Sequence, residues 1–153
     1  MTFFFIIMFV GGCAGSTSCG IKIFRFQVLI EAVRQHVSQV MYPHGVFRAR
    51  FNGKPIQDRV IASVMSFFFL FMTSFVVLAI LLRLSGLDTV TALSGAGTAL
   101  SNVGPGLGEI IGPSGNFQSL SDLQKWLLAA GMLLGRLELF TVLVLFLPRF
   151  WRS

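Results

Sequence analysis

The chain has 153 residues, of which 54% are hydrophobic and only 12% charged, with 17 phenylalanines; a soluble domain carries about 25% charged residues, so this composition points to lipid as the solvent. Net charge is +6, but the basic residues are not interleaved with aromatics in the manner of a nucleic-acid surface, and no nucleic-acid partner is expected. Glu31, Asp58, Asp88, Glu109, Asp122 and Glu138 are scattered, with no nucleophile–base pair, carboxylate dyad or metal cluster among them, so no enzyme is expected.

Met1 to Ala14 (MTFFFIIMFVGGCA) is too short to cross a bilayer and reads as the inner half of a helix. Val-Gly-Gly-Cys hints at a lipoprotein cleavage site, but the basic region that opens a signal peptide is missing. Gly11 to Lys22 (GGCAGSTSCGIK) is too rich in glycine and serine for a stable helix; at membrane depth, irregular backbone survives only inside protein or beside water. Cys13 and Cys19 match no metal or redox spacing and read as small apolar residues. His36 and His44 read as solvated. Phe24 to Val40 predicts a helix at the cytoplasmic interface, and Tyr42 to Pro55 a loop broken by Pro43, Gly45, Gly53 and Pro55.

Val60 to Leu82 is 23 residues without a charge, about 34 Å as a helix and long enough to cross a hydrocarbon core. Ser85 to Asp88 breaks it, with Asp88 placed to cap the next helix. Thr89 to Ser101 would reach about 20 Å if helical, too short to span, and is expected to dip in and return. SNVGPGLGE follows at 101 to 109, then a polar stretch from Ile111 to Asp122. Lys125 and Trp126 anchor a last apolar segment, Trp126 to Leu147.

Charge gives the orientation. Lys22, Arg25, Arg34, Arg48, Arg50, Lys54 and Arg59 face only Glu31 and Asp58 before the long span, and Arg149 and Arg152 close the chain. Arg83 to Lys125 holds two basic residues against Asp88, Glu109 and Asp122. The Lys/Arg excess marks the cytoplasmic side, so both flanks of the unit lie inside and Arg83 to Lys125 faces out.

A half-helix entering from outside turns its partly negative C-terminal end toward the membrane interior, where a cation is favoured. Gly104 and Gly106 open backbone angles closed to other residues and Pro105 stiffens the turn, so that successive carbonyls can replace the hydration shell of a cation such as potassium. The competing reading is an extracellular hairpin turn that binds no ion. In the last segment, Arg136 and Glu138 stand where an insertion cost of about 2.5–3.5 kcal/mol per charge demands a protein or water partner. At i and i+2 they do not face each other. Arg136 either latches onto carbonyls of the Gly11–Gly20 stretch or only snorkels and holds the assembly together.

SNVGPGLGEIIGPSGNF followed by LLGRLELFTVLVLFLPRFWR resembles the end of the Trk-type potassium-uptake pore subunit, and GGCAGSTSCGIK is similar to that family's signature after its third pore repeat. The resemblance covers nearly the whole chain. It implies an all-α integral membrane fold, one of four helix–pore helix–helix repeats around an axis. Residues 60–153 would form the fourth repeat, with a span at 60–82, a re-entrant pore helix at 88–101, a filter loop at 102–106 and a span at 126–147. Residues 1–22 would be the inner half of a broken transmembrane helix with its Gly-rich loop, and 23–59 a cytoplasmic interfacial helix and linker.

By position, the resemblance assigns Asn102, Val103, Gly104 and Pro105 to the fourth filter strand, with potassium at Gly104. It assigns Gly11, Gly12, Gly15, Ser16 and Gly20 to an intramembrane gating loop faced by Arg136. Cys19 departs from the family, which usually carries another glycine there. The implied setting is the bacterial inner membrane with a cytoplasmic C-terminus, potassium as substrate and no cofactor. The implied partners are the N-terminal repeats, a second pore subunit and a cytoplasmic nucleotide-binding regulatory subunit. One repeat supplies about a quarter of a filter and should not conduct alone; the other function carried forward is a non-conducting assembly or anchor protein, or a truncated remnant.

Overall fold

The computed structural model describes residues 2–12, 20–42, 45, 50–51, 54–108 and 110–136. In chain order these form α1 (Thr2–Met8), α2 (Ile23–Met41), β1 (Arg50–Phe51), β2 (Lys54–Pro55), α3 (Asp58–Leu84), α4 (Thr89–Ser101), a single 3₁₀ turn (Phe117–Ser119) and α5 (Asp122–Arg136). The segment expected as a turn-rich linker therefore holds one small departure from an all-helical chain. Arg50 pairs with Pro55 and Phe51 with Lys54 in an antiparallel ladder of two residues per strand. Pro55 has no N–H to donate and suits the end of such a ladder.

Helix α3 is 27 residues long, about 40 Å, and is the one helix among the described residues long and apolar enough to cross a membrane. One face carries Val64, Phe67, Phe71, Leu78 and Leu82 into the core. The opposite face leaves Phe69, Met72, Val76 and Ile80 exposed, an apolar surface that suits lipid or further helices and not water.

The chain reverses at once. Leu87 N–H donates to the Leu82 carbonyl, and Arg83 Nη1 donates to the Leu87 carbonyl at 2.7 Å. Asp88 then caps α4, its carboxylate accepting from Thr91 N–H at 3.1 Å. Helix α4 runs back along α3, since Gly95 lies beside Leu82 while Gly131, which touches Ala99, lies beside Leu78. Helix α5 runs with α4: Leu128 is beside Gly95, Gly131 beside Ala99 and Gly135 beside Leu100.

Small residues make this three-helix contact tight. Ten of the thirteen residues of α4 are buried, although most are Gly, Ala, Ser or Thr. A Cβ on Gly131 would come within 2.6 Å of Leu78 Cδ2 and 3.2 Å of Ala99 Cβ, and one on Gly135 would collide with the Leu100 carbonyl. Gly131 and Gly135 are a GxxxG pair, the spacing that lets helix backbones approach in a membrane. The start of α5 is fixed by a capping box. Ser121 N–H donates to Gln124 Oε1 at 2.9 Å and Gln124 N–H donates to Ser121 Oγ. The buried Gln124 amide also donates to the Ser85 carbonyl at 3.0 Å, tying α5 to the end of α3.

Helix α1 stops at Met8, before the Gly-rich stretch that begins at Gly11. Gly11 N–H donates to the Ile21 carbonyl and Ile21 N–H to the Phe9 carbonyl, so strand-like pairing replaces the helix ladder. Gly20 makes the return with φ +84°, a conformation L side chains rarely adopt. Ile21 is buried, and Phe9 stacks edge-on against Phe71 and Phe75 near the middle of α3. The amphipathic α2 follows, with the Arg25 guanidinium 3.7 Å above the Phe67 ring and Phe26 against Phe68.

Two outcomes follow from these contacts. Asp88→Ala should lower stability by about 1 kcal/mol through loss of the cap, whereas Asp88→Asn should retain most of it; unfolding in detergent followed by circular dichroism measures both. Bonds from the Thr91 side chain and then the Thr91 N–H hold the Asp88 carboxyl below its ordinary value. Its ionised contribution is therefore complete above the usual carboxylate range and disappears as pH falls through the lowered value, a dependence Asp88→Asn should lack. Gly135→Ala should cost about 1–3 kcal/mol in the same assay by pushing α5 off the Leu100 carbonyl.

Candidate functional site

The backbone leaves α4 through a sharply defined stop. Asn102 adopts the left-handed conformation at φ 51° and ψ 42°, which Asn tolerates better than most residues. Its N–H donates to the Ala99 carbonyl and the Val103 N–H to the Thr98 carbonyl, the two bonds of a Schellman motif. The Asn102 side chain crosses to α5, where Nδ2 donates to the Met132 carbonyl at 3.0 Å. The end of α4 is thereby pinned to the neighbouring helix.

Beyond it, Gly104 has φ +113° and its N–H donates to Thr98 Oγ1 at 3.0 Å. A Cβ built there would meet nothing within 4 Å, so glycine is required by backbone angle and not by crowding. Pro105 has no N–H, and Gly106 N–H donates to the Ile111 carbonyl at 2.7 Å. Ser94 Oγ donates to the Leu107 carbonyl at 3.1 Å. Every amide hydrogen from Asn102 to Gly106 is thus turned back into the protein. Among the described residues, none of the carbonyls of Asn102, Val103, Gly104 and Pro105 accepts a hydrogen bond. Val103, Gly104 and Pro105 lie on an open face, while Asn102 is half-buried.

The level of this loop follows from its neighbours. Met132, the acceptor for Asn102, stands ten residues beyond Asp122, about 15 Å along α5. The other expected site comes close to the same level. Gly97, in the last turns of α4, faces Phe9, Met8 and Phe5 of the α1 segment, and Phe9 leads into Gly11 and Gly12. Gly11, Gly12 and Gly20 form the paired base of the Gly-rich stretch; Gly15 and Ser16, with Cys13 and Cys19, lie outside the described residues. Arg136 is the last described residue of α5 and is exposed. Glu138 lies outside the described residues, as do residues 13–19 of the stretch that Arg136 was expected to face.

Sequence reasoning singled out residues 102–105 as a break in the helix but missed what supports the loop. Thr98 and Ser94 are ordinary residues for a helix, and only the tertiary structure brings their hydroxyls to the loop. The GxxxG of α5 and the Ser-x-x-Gln box at Ser121 were legible as spacings. The role of the Asn102 side chain was not, because its acceptor lies thirty residues away.

A family described as "TrkH: Cation transport protein" matches residues 1–153. The chain is 55% identical over 150 residues to the Trk system potassium uptake protein TrkI of Halomonas elongata, covering 98% of this chain and 30% of that protein. It is 37% identical over 145 residues to the Trk system potassium uptake protein TrkH of Escherichia coli (strain K12), covering 95% and 29%. The crystal structure of the potassium transporter TrkH from Vibrio parahaemolyticus is similar with a TM-score of 0.88 at 36% identity, over 98% of this chain and 31% of that one. The chain therefore spans between 29% and 31% of the length of these relatives. On the full-length family match and on the shared fold, this chain belongs to the TrkH family of cation transport proteins.

Proposed function

We propose that this chain contributes one filter-bearing repeat to a potassium-uptake pore. The observation that carries the reading is the polarity of residues 102–106, whose amide hydrogens are all engaged while the carbonyls of 102–105 accept none among the described residues. A hard monovalent cation that sheds its water needs such oxygens. Helix α4 enters the membrane from outside as a re-entrant half-helix and presents its negative end beneath them. With about 15 Å of α5 above it, the loop sits near mid-depth of a hydrocarbon core about 30 Å thick.

One strand gives one quarter of the coordination, so conduction requires the remaining repeats. The Gly11–Gly20 stretch, whose base packs against α4 through Phe9, acts as the gate on the cytoplasmic side, and Arg136 holds it. In this reading the unit lies in the inner membrane, and its basic flanks favour a cytoplasmic C-terminus. A second pore subunit and a nucleotide-binding regulatory subunit complete the assembly.

The test is co-expression with the remaining repeats of a relative in cells defective in potassium uptake. Growth at low potassium is expected, and its absence counts against a competent repeat. In that reconstituted protein, Gly104→Ser must force an L residue to φ +113° at a cost of about 1–3 kcal/mol. The preference for potassium over sodium should fall about tenfold, the equivalent of 1.4 kcal/mol; an unchanged preference removes Gly104 from the filter. Thr98→Val should lower selectivity in the same direction by releasing the Gly104 N–H, and Thr98→Ser should restore it. Equal selectivity in the valine and serine variants would show that the hydroxyl does not position the loop.

A further inference from the structure

The Gly-rich stretch begins and ends against one face of α3. Phe67, Phe71 and Phe75 are spaced by four residues and share that face. Phe67 and Phe71 are buried, with their rings 6.0 Å apart. The incoming end of the stretch meets the C-terminal part of this aromatic row, where the Phe9 ring stands edge-on to Phe71 at 6.0 Å and to Phe75 at 5.5 Å. The outgoing end meets its N-terminal part, where the Arg25 guanidinium lies 3.7 Å from the centre of the Phe67 ring. Between these contacts the neck is closed by three bonds: Gly11 N–H to the Ile21 carbonyl, Ile21 N–H to the Phe9 carbonyl and Ile23 N–H to the Gly12 carbonyl.

The position of Arg25 sets it apart from a basic residue that merely marks the inner side. Phe67 stands seven residues past Val60, about 10 Å into the uncharged run of α3. A cation at that depth requires protein or water beside it, and the negative face of an aromatic ring meets the need. A guanidinium is flat and weakly hydrated and can lie on the ring, whereas the ammonium of lysine is a strongly hydrated point charge that holds such a place less well.

We propose that Arg25 and Phe67 are positioning residues of the gate: their cation–π contact fixes the outgoing end of the Gly-rich stretch to the row that holds its incoming end through Phe9. With both ends fixed on one helix, the neck keeps its shape and the gate cannot leave the ion path by opening at its base. A gate released at one end blocks that path for less of the time. The inference rests on the reading of this stretch as the gate of a potassium pore.

The test uses this chain co-expressed with the part of Halomonas elongata TrkI that it does not match, in cells defective in potassium uptake. Hydrogen exchange at Gly11 and Ile21, read by mass spectrometry on the purified assembly, reports the neck without reference to transport. Phe67→Leu and Arg25→Gln should each speed it about fivefold, the loss of one cation–π contact. Arg25→Lys should also speed it although the charge is kept, and Phe67→Trp should not. Combining Arg25→Gln with Phe67→Leu should add nothing to the faster single variant. In uptake normalised to folded transporter, the loosening variants should raise the maximal rate roughly threefold through the smaller population of the blocked state. The half-saturating potassium concentration and the preference over sodium should stay as in the parent, a split that misfolding does not produce. Arg25→Lys exchanging like the parent assigns the role to charge alone and overturns the proposal. So do single effects that multiply in the double variant, or an opened neck with an unaltered maximal rate. A parent assembly that takes up no potassium while its neck responds as expected sinks the permeation reading and leaves the anchor standing. Uptake by the parent with a neck insensitive to Phe67→Leu sinks the anchor alone.

Discussion

The fate of the amide hydrogens after α4 governs the structure. A helix that stops inside apolar surroundings leaves carbonyls and amides that water cannot reach, and each unsatisfied group is costly. Here the amides are resolved by a Schellman stop at Asn102, by the Thr98 hydroxyl at Gly104 and by the Ile111 carbonyl at Gly106. What is left, among the described residues, is a run of carbonyls without hydrogen-bond donors, of which those of the exposed residues 103–105 lie on an open face. The amide donors build the loop, and the carbonyls of 102–105 accept no hydrogen bond among the described residues.

That arrangement holds only if α4 cannot shift along its neighbours. Lipid gives little hydrophobic drive for helix association, so close packing and interhelical hydrogen bonds must fix the register. Gly131 and Gly135 bring the backbone of α5 against Ala99 and the Leu100 carbonyl, and this proximity puts the Met132 carbonyl within reach of Asn102. At the opposite end, Gln124 links α5 to the Ser85 carbonyl. Helix α5 is therefore tied to the end of α4 through Asn102 and to the end of α3 through Gln124.

The apolar surfaces on α3 and α4 belong to the same logic. Residues 103–105 are open on one side, Phe69, Met72, Val76 and Ile80 on another, and Val90 and Leu93 of α4 on a third. Helix α4 is mostly buried, while these other faces stay open among the described residues. The span of only 29% to 31% of its relatives accords with surfaces of this kind.

The sequence by itself determined the elements and their punctuation. An uncharged run longer than a bilayer, a helix too short to span and a Gly-Pro-Gly stop are covalent facts, and each fixes local backbone behaviour before any contact forms. The left-handed turn at Asn102, the end of α1 at Met8 and the two-residue ladder at Arg50–Phe51 were decided by tertiary structure. So was the choice of Thr98 and Met132 as partners of the loop. Those outcomes depend on groups distant in the chain arriving at the same level of the bundle, and local pattern holds no record of depth. Spacing shows where a backbone must break, whereas packing decides which of its polar groups are left facing outward.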